Sequence, residues 1–190
     1  METLVYSYRG PLKDLSYSGS AAVVNSEGKL LFYCGEPQKT VYMRSSAKPM
    51  QAMCVLESGA VDAYGLTEEE LAVICSSHSG ESFHVNAIRS ILSKAGLGEE
   101  YLQCGVHAPL NEQAAKALEQ SGQAPGQIHN NCSGKHTGML ITAKHLGESL
   151  EDYYQPYHKV QRRIIEMIAY ICQYDREKIV IGVDGCGVPV

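Results

Sequence analysis

The sequence predicts an α+β fold, and three features carry that reading. Residues 3–34 hold short alternating apolar stretches, residues 49–174 hold successive apolar stripes of helical period, and residues 178–183 form a brief apolar run. Strands, then helices, then a last strand is the resulting order. With 190 residues, 44% of them hydrophobic, the chain has the length for one domain with a real core and is short for two.

Strands are expected near residues 3–9, 18–25 and 29–34, with Asn25-Ser26-Glu27-Gly28 as the hairpin turn between the second and third. Pro49 suits the first turn of a helix whose apolar side is Met50, Met53, Cys54 and Leu56, closed by Ser58-Gly59. Thr67-Glu68-Glu69-Glu70 reads as a capping box opening a short helix to about Ile74. Val85, Ile88, Ile91 and Leu92 make a helical stripe ended by Gly96, and Ala114, Ala115 and Leu118 another ended by Gly122. Met139, Leu140 and Ala143 make a third, ending near Gly147. The longest helix runs from about Tyr157 to Tyr174, with Val160, Ile164, Ile165, Ile168, Ile171 and Cys172 inward. Lys178–Val183 then reads as a buried strand delivering Asp184-Gly185-Cys186. The sequence stops at Val190, just after that strand and turn, which predicts an incomplete domain and favours self-association into a homo-oligomer.

A net charge of -5 and a pI near 5.8 argue against nucleic acid or an anionic membrane as partner. The densest basic cluster, Lys159 with Arg162 and Arg163, reads as a solvated helix face. Met-Glu-Thr-Leu-Val-Tyr at the start has neither the basic nor the apolar region of a secretory signal, and the apolar runs fall short of a membrane span. Cysteines 34, 54, 75, 104, 132, 172 and 186 are odd in number and lack a framework spacing. Free thiols in a reducing cytoplasm are the expectation.

Three segments carry more chemistry than a core needs. His129-Asn-Asn-Cys-Ser-Gly-Lys-His-Thr-Gly138 packs imidazoles, a thiol, an amine, amides and hydroxyls into ten residues, a density that is costly if buried unpaired. Arg44-Ser-Ser-Ala-Lys-Pro49 contains an S-x-x-K pattern at a helix start, where Ser45 and Lys48 share a face. Lys48 must be neutral to act as a base, and both burial and the positive end of a helix favour that form. The same helix start can offer backbone N–H groups to an oxyanion. The competing reading makes Ser45 or Ser46 a helix cap beside a surface lysine. Ser76-Ser-His-Ser-Gly-Glu81 suits a loop binding a polar substrate, or simply a helix end with Gly80 in the left-handed conformation. Thiols and imidazoles suit zinc, which by ligand type alone would take Cys132, His136 and Cys186, with His129 as an optional fourth. No C-x-x-C occurs, so two unrelated buried thiols with surface histidines stay as the alternative.

Taken together, Arg44-Ser-Ser-Ala-Lys-Pro-Met-Gln51, Ser77-His-Ser-Gly-Glu81, His129–Met139 and Asp184-Gly-Cys-Gly-Val-Pro189 resemble the rhizobial-type L-asparaginases, also called the thermolabile asparaginase II family. The resemblance runs over essentially the whole chain. It implies a serine β-lactamase/glutaminase-like sheet flanked by helices. It implies hydrolysis of L-asparagine with Ser45 as nucleophile, Lys48 as its base partner and Ser77 as a second catalytic serine. It implies zinc held by Cys132, Lys135 and Cys186, with His136 and Asp184 behind the metal or on the substrate. Arg44, His78, Asn130, Asn131, His136 and Asp184 are the expected substrate-binding set. A later lysine that partners the second serine in the family has no counterpart here. Two rivals remain: another S-x-x-K acyl-transferring enzyme, which should carry a K-T-G-like strand, and a non-catalytic zinc-binding fragment.

Overall fold

A computed structural model describes residues 2–189. The chain divides into two compact units, one ending at Tyr42 and one beginning at Met43. Strands fall in the first and helices in the second, in keeping with the α+β expectation.

The first unit holds two separate antiparallel hairpins. β1 (Glu2–Arg9) pairs with β2 (Leu12–Gly19), and β3 (Ala21–Val24) pairs with β4 (Leu30–Cys34). The turn expected at residues 25–28 forms: Asn25 Oδ1 accepts the N–H groups of Glu27 at 3.1 Å and Lys29 at 2.8 Å. Gly28 takes the left-handed conformation, φ +77°, that such a turn requires. Two corrections apply. The strand expected over 18–25 is the end of one strand and all of the next, separated at Ser20. β2 itself gave no clear period, because pairing jumps from Ser7↔Leu15 to Tyr8↔Lys13 and leaves Asp14 as an extra residue. Such a bulge takes Leu12 and Leu15 out of strict alternation.

In the second unit the helices are α1 (Lys48–Glu57), α2 (Ala60–Ala63), α3 (Glu68–Cys75), α4 (Ser82–Lys94), α5 (Glu112–Gln120), α6 (Ser133–His145) and α7 (Lys159–Cys172). α6 is the centre: every residue from Ser133 to Ala143 is buried. It packs against α1, α3, α4 and α7. Close approach to α3 depends on two glycines a helical turn apart. A Cβ at Gly134 would collide with the Val73 carbonyl, and one at Gly138 would lie 2.6 Å from Ile74 Cγ2. Around this contact lie Val55, Ile74, Ile88, Ile91, Leu140, Ile141, Val160 and Ile164.

Helix boundaries follow their sequence signals. Pro49 occupies the first turn of α1. The capping box forms, with Thr67 Oγ1 accepting the Glu70 N–H and Glu70 Oε2 accepting the Thr67 N–H. Glu70 also accepts from Ser90 Oγ at 2.6 Å and Lys94 Nζ at 2.7 Å, so the cap of α3 is bolted to α4. On α7, Val160 and Ile164 face inward as expected, joined by Gln161 and Met167, whereas Ile171 and Cys172 are exposed.

The strand expected over Lys178–Val183 is not formed. Arg176–Lys178 is a 3-10 turn, and the only pairing in the segment is a single bridge, Val183 to Pro189. A strand needs a neighbour to take its N–H and C=O groups, and no described strand lies beside this one; Val180 and Val183 are exposed.

Gly134→Ala should destabilise the fold by at least about 2 kcal/mol, since backbone rather than a movable side chain blocks the added methyl. Thr67→Ala should cost only about 1 kcal/mol through loss of the cap. Urea unfolding of both variants measures the difference, and equal midpoints would contradict the packing role given to Gly134.

Candidate functional site

Ser45 lies on a 3-10 turn, Arg44–Ala47, that leads directly into α1. The turn is entered through Arg44 at φ +51°, a left-handed conformation that a non-glycine residue adopts at a cost of roughly 1 kcal/mol. Ser46 Oγ folds back onto the Met43 carbonyl. Ser45 is thus left exposed, with its Oγ accepting a hydrogen bond from Ser77 Oγ at 2.9 Å. Ser77 Oγ is in turn 2.6 Å from Lys48 Nζ. Helical spacing predicts direct contact between Ser45 and Lys48; the structure inserts Ser77 between them.

Lys48 is 2% exposed, and its amine lies 2.9 Å from the Ser76 carbonyl and 3.3 Å from the Asn131 carbonyl. Burial lowers its pKa, and the nearby Lys135 charge adds to that, while Cys132 opposes it. As an ammonium, Lys48 donates to all three oxygens. As a neutral amine, its two N–H groups suffice for the two carbonyls, and its lone pair faces the Ser77 hydroxyl. Both protonation states are therefore satisfied in the same place.

A second cluster lies at the start of α6. Side-chain donor atoms of Cys132, Asp184 and Cys186 lie within 4.8 Å of one another, a group that can hold a metal ion. Neither His129 nor His136 belongs to it. Lys135, 3% exposed, reaches the cluster through an ion pair of 2.8 Å with Asp184 Oδ2. Asp184 Oδ1 accepts the N–H groups of Cys186 at 2.8 Å and Val188 at 3.0 Å, so the turn holding Cys186 builds itself around this carboxylate without a preceding strand. Gly187, at φ +80°, completes it. Cys132 has its pKa lowered to about 6, first by the hydrogen bond from Cys186 and then by the charges of Lys135 and Lys48. The same bond, with burial, pushes the Cys186 thiol up. All seven cysteines are free.

The remaining expected site residues are placed unevenly. Arg44 is exposed beside Ser45, and Asn131 supplies its carbonyl to Lys48. Asn130 is buried and its amide is engaged within the chain, with Nδ2 donating to the carbonyls of Cys104 and Gly105. His136 is fully buried: its Nδ1 is 2.7 Å from Tyr153 Oη, which also accepts the Gln103 N–H at 2.9 Å. The Tyr153 proton therefore points at Nδ1, leaving Nε2 protonated and without a protein partner among the described residues. Burial, then the Lys135 charge, lowers the His136 pKa to about 3. Tyr153 had no signal in the sequence beyond an ordinary Tyr-Tyr pair in a loop. His129 accepts the Gly126 N–H and serves its own 3-10 turn.

His78 is buried, with Nδ1 accepting the Gly80 N–H at 3.2 Å and Nε2 2.8 Å from Ser133 Oγ. Ser133 donates onward to the Ile128 carbonyl, so Nε2 is the protonated nitrogen. The ring ties the Ser77 loop to α6 and stacks on His84. Burial, followed by the charges of His84, Lys48 and His129, lowers its pKa to about 4. An unfolded chain binds this proton below about pH 6.5 while the folded one refuses it until about pH 4. Stability should therefore fall as pH drops through that window, by about 3 kcal/mol for this group. Urea midpoints at pH 7 and pH 4.5 for the unaltered chain and His78→Asn check it, the variant losing less on acidification.

No curated protein matches the chain. A family profile described as L-asparaginase II matches residues 5–190, nearly all of the sequence, and spans both the serine-lysine and the thiol clusters. The chain belongs to the L-asparaginase II family.

Proposed function

We propose that this protein hydrolyses the side-chain amide of L-asparagine to L-aspartate and ammonia through an acyl-enzyme on Ser45. The observation that carries the reading is the run of contacts from Ser45 through Ser77 to Lys48. With Lys48 neutral the two hydroxyls turn over, Ser45 donating to Ser77 and Ser77 to Lys48, and Lys48 draws the proton of Ser77 as Ser77 draws that of Ser45. Ser45 Oγ then attacks the carboxamide carbon, and the proton returns along the same line to the departing nitrogen as ammonia leaves. Ser45 is then esterified, so an attacking water passes its proton through Ser77 to Lys48, and that proton returns through Ser77 to Ser45 Oγ as the ester breaks and aspartate leaves. Arg44, exposed beside Ser45, suits the α-carboxylate of the substrate, and Asn131, His136 and Asp184 complete the proposed substrate set, while His78 and Asn130, whose polar atoms are engaged within the chain, support the site from behind.

The donor set of the second cluster fits zinc, since two sulfurs with nitrogen or oxygen donors match its borderline-soft preference. Cys132, Lys135 and Cys186 would hold it, with Asp184 accepting from the Lys135 amine and turning its lone pair away from the carboxylate. Lys135 must release a proton to serve in this way. A bound zinc ion supplies a fixed positive charge and a Lewis acid near the serines. The serine β-lactamase/glutaminase-like scaffold is carried forward as part of this proposal, on the S-x-x-K helix start. A cytoplasmic setting is supported by the free thiols, and self-association by the exposed apolar side chains of the hairpins.

Ser45→Ala should abolish ammonia release from asparagine, and Ser77→Ala and Lys48→Met should each lower kcat by at least about 100-fold. Ammonia assays on asparagine, alongside a chromogenic β-lactam, read the result. Near-normal turnover by Ser45→Ala, or preference for the β-lactam, overturns the assignment.

For the metal, Cys132→Ser, Cys186→Ser and Lys135→Met should each weaken zinc by more than about 100-fold, and Asp184→Asn by about 10-fold. Competition with a chromogenic chelator measures the affinities. Unchanged affinity in both serine variants would remove zinc from the proposal.

A further inference from the structure

Asn130 is the side chain hydrogen-bonded to both cysteines of the thiol cluster. It sits at the end of the 3-10 turn Gln127–His129, just ahead of α6, and is 6% exposed. Its Oδ1 accepts the Cys132 N–H at 2.8 Å and the Cys186 thiol at 3.7 Å. Its Nδ2 donates to the carbonyls of Cys104 at 2.8 Å and Gly105 at 3.1 Å. The two amide hydrogens and both lone pairs are thus in use, and none is left for a substrate. The orientation has no alternative. Turning the amide over would set its NH2 against the Cys132 N–H and its oxygen against two carbonyls.

The bonds join segments that nothing in the sequence brings together. Cys132 opens α6, where first-turn N–H groups have no partner inside the helix. Cys186 lies 56 residues beyond Asn130, on the turn built around Asp184. The Cys104-Gly105 segment anchors the other end of the amide in the core, where Cys104 is buried. A rigid planar group pinned by two carbonyls on one side therefore presents one oxygen to both cysteines on the other. Ala, Asp and Gln all fail here for separate reasons. Ala leaves the Cys132 N–H and two carbonyls unpaired, Asp turns a carboxylate towards those carbonyls, and Gln is one carbon too long.

We infer that Asn130 is a positioning residue that holds the Cys132 backbone and the Cys186 thiol at the spacing from which both sulfurs can grip one metal ion, the Cys186 proton, and with it the bond to Oδ1, being given up as the metal binds. The inference rests on the zinc reading above. Its counterpart in the substrate-binding set expected from the sequence is replaced by this role.

Cobalt(II) titration of the unaltered chain, Asn130→Ala and Asn130→Asp reads the thiolate-to-metal charge-transfer band and its affinity together. Diamide reads thiol spacing without any metal: it takes two hydrogens from the two thiols, becomes the hydrazine, and leaves one S–S bond between Cys132 and Cys186, mapped by peptide mass. The expected result is cobalt binding weakened about 10- to 100-fold with an altered band in both variants, and disulfide closure slowed at least about tenfold. Asn130→Asp keeps an acceptor for Cys132 and serves where Asn130→Ala does not fold, as judged by circular dichroism. An unchanged cobalt band, affinity and closure rate in a folded variant overturns the inference. If the unaltered chain gives no cobalt band, the zinc reading fails alone, and the closure rates decide the spacing role: slower closure supports it, equal closure overturns it.

Discussion

A helix buried on every side has no water to satisfy the polar side chains it carries, so each must find a partner on a neighbouring element or on its own backbone. α6 is under that constraint from Ser133 to Ala143. Thr137 and Thr142 meet it by bonding the carbonyls of Ser133 and Gly138 one turn back. Ser133 reaches back to Ile128 and across to His78, Lys135 reaches Asp184, and His136 reaches Tyr153. Three of those bonds leave the helix for loops that carry Ser77, Cys186 and the chain around Tyr153. The need to pair α6 with its surroundings is what gathers the site.

Two buried lysines in one site cannot be equivalent. Lys135 has a carboxylate at 2.8 Å, and Lys48 has only carbonyls and a hydroxyl. Burial lowers the pKa of Lys48, and the neighbouring Lys135 charge adds to that, with Cys132 opposing it. The arrangement ties the serine line to the thiol cluster electrostatically: whatever alters the charge at Lys135 or Cys132 changes the basicity of Lys48 as well. Tuning of this kind is typical of working sites, where neighbouring groups push pKa values apart.

Much of this was legible in the residues, and the failures have a common cause. Local signals held: Pro49, the Thr67–Glu70 box, the Asn25–Gly28 turn and the stripes of α4 and α6 each act within a few residues of chain. The readings that failed depend on distant neighbours. Lys178–Val183 has the composition of a strand but no described partner, and β2 hid its pattern behind a bulge that is defined by pairing. At the site, S-x-x-K marks Ser45 and Lys48 correctly as neighbours along the chain, yet only the fold inserts Ser77 between them. The same holds for Tyr153 and Asn130, whose roles are set by groups far along the sequence.

The hairpins of the first unit have a bearing on how the protein behaves in concentrated solution. Each is a sheet of two strands, so every strand is an edge with a row of N–H and C=O groups open to pairing. Leu12, Tyr17, Val23, Phe32 and Tyr33 stand exposed along them. Segments of this kind recruit further strands from other molecules, and a net charge of -5 spread over 190 residues offers limited repulsion against that. Colloidal stability would then be governed by a few dozen residues remote in sequence from α6. Lysine or proline placed on those edges is the remedy that natural sheets use, and it changes no residue of the serine and thiol clusters.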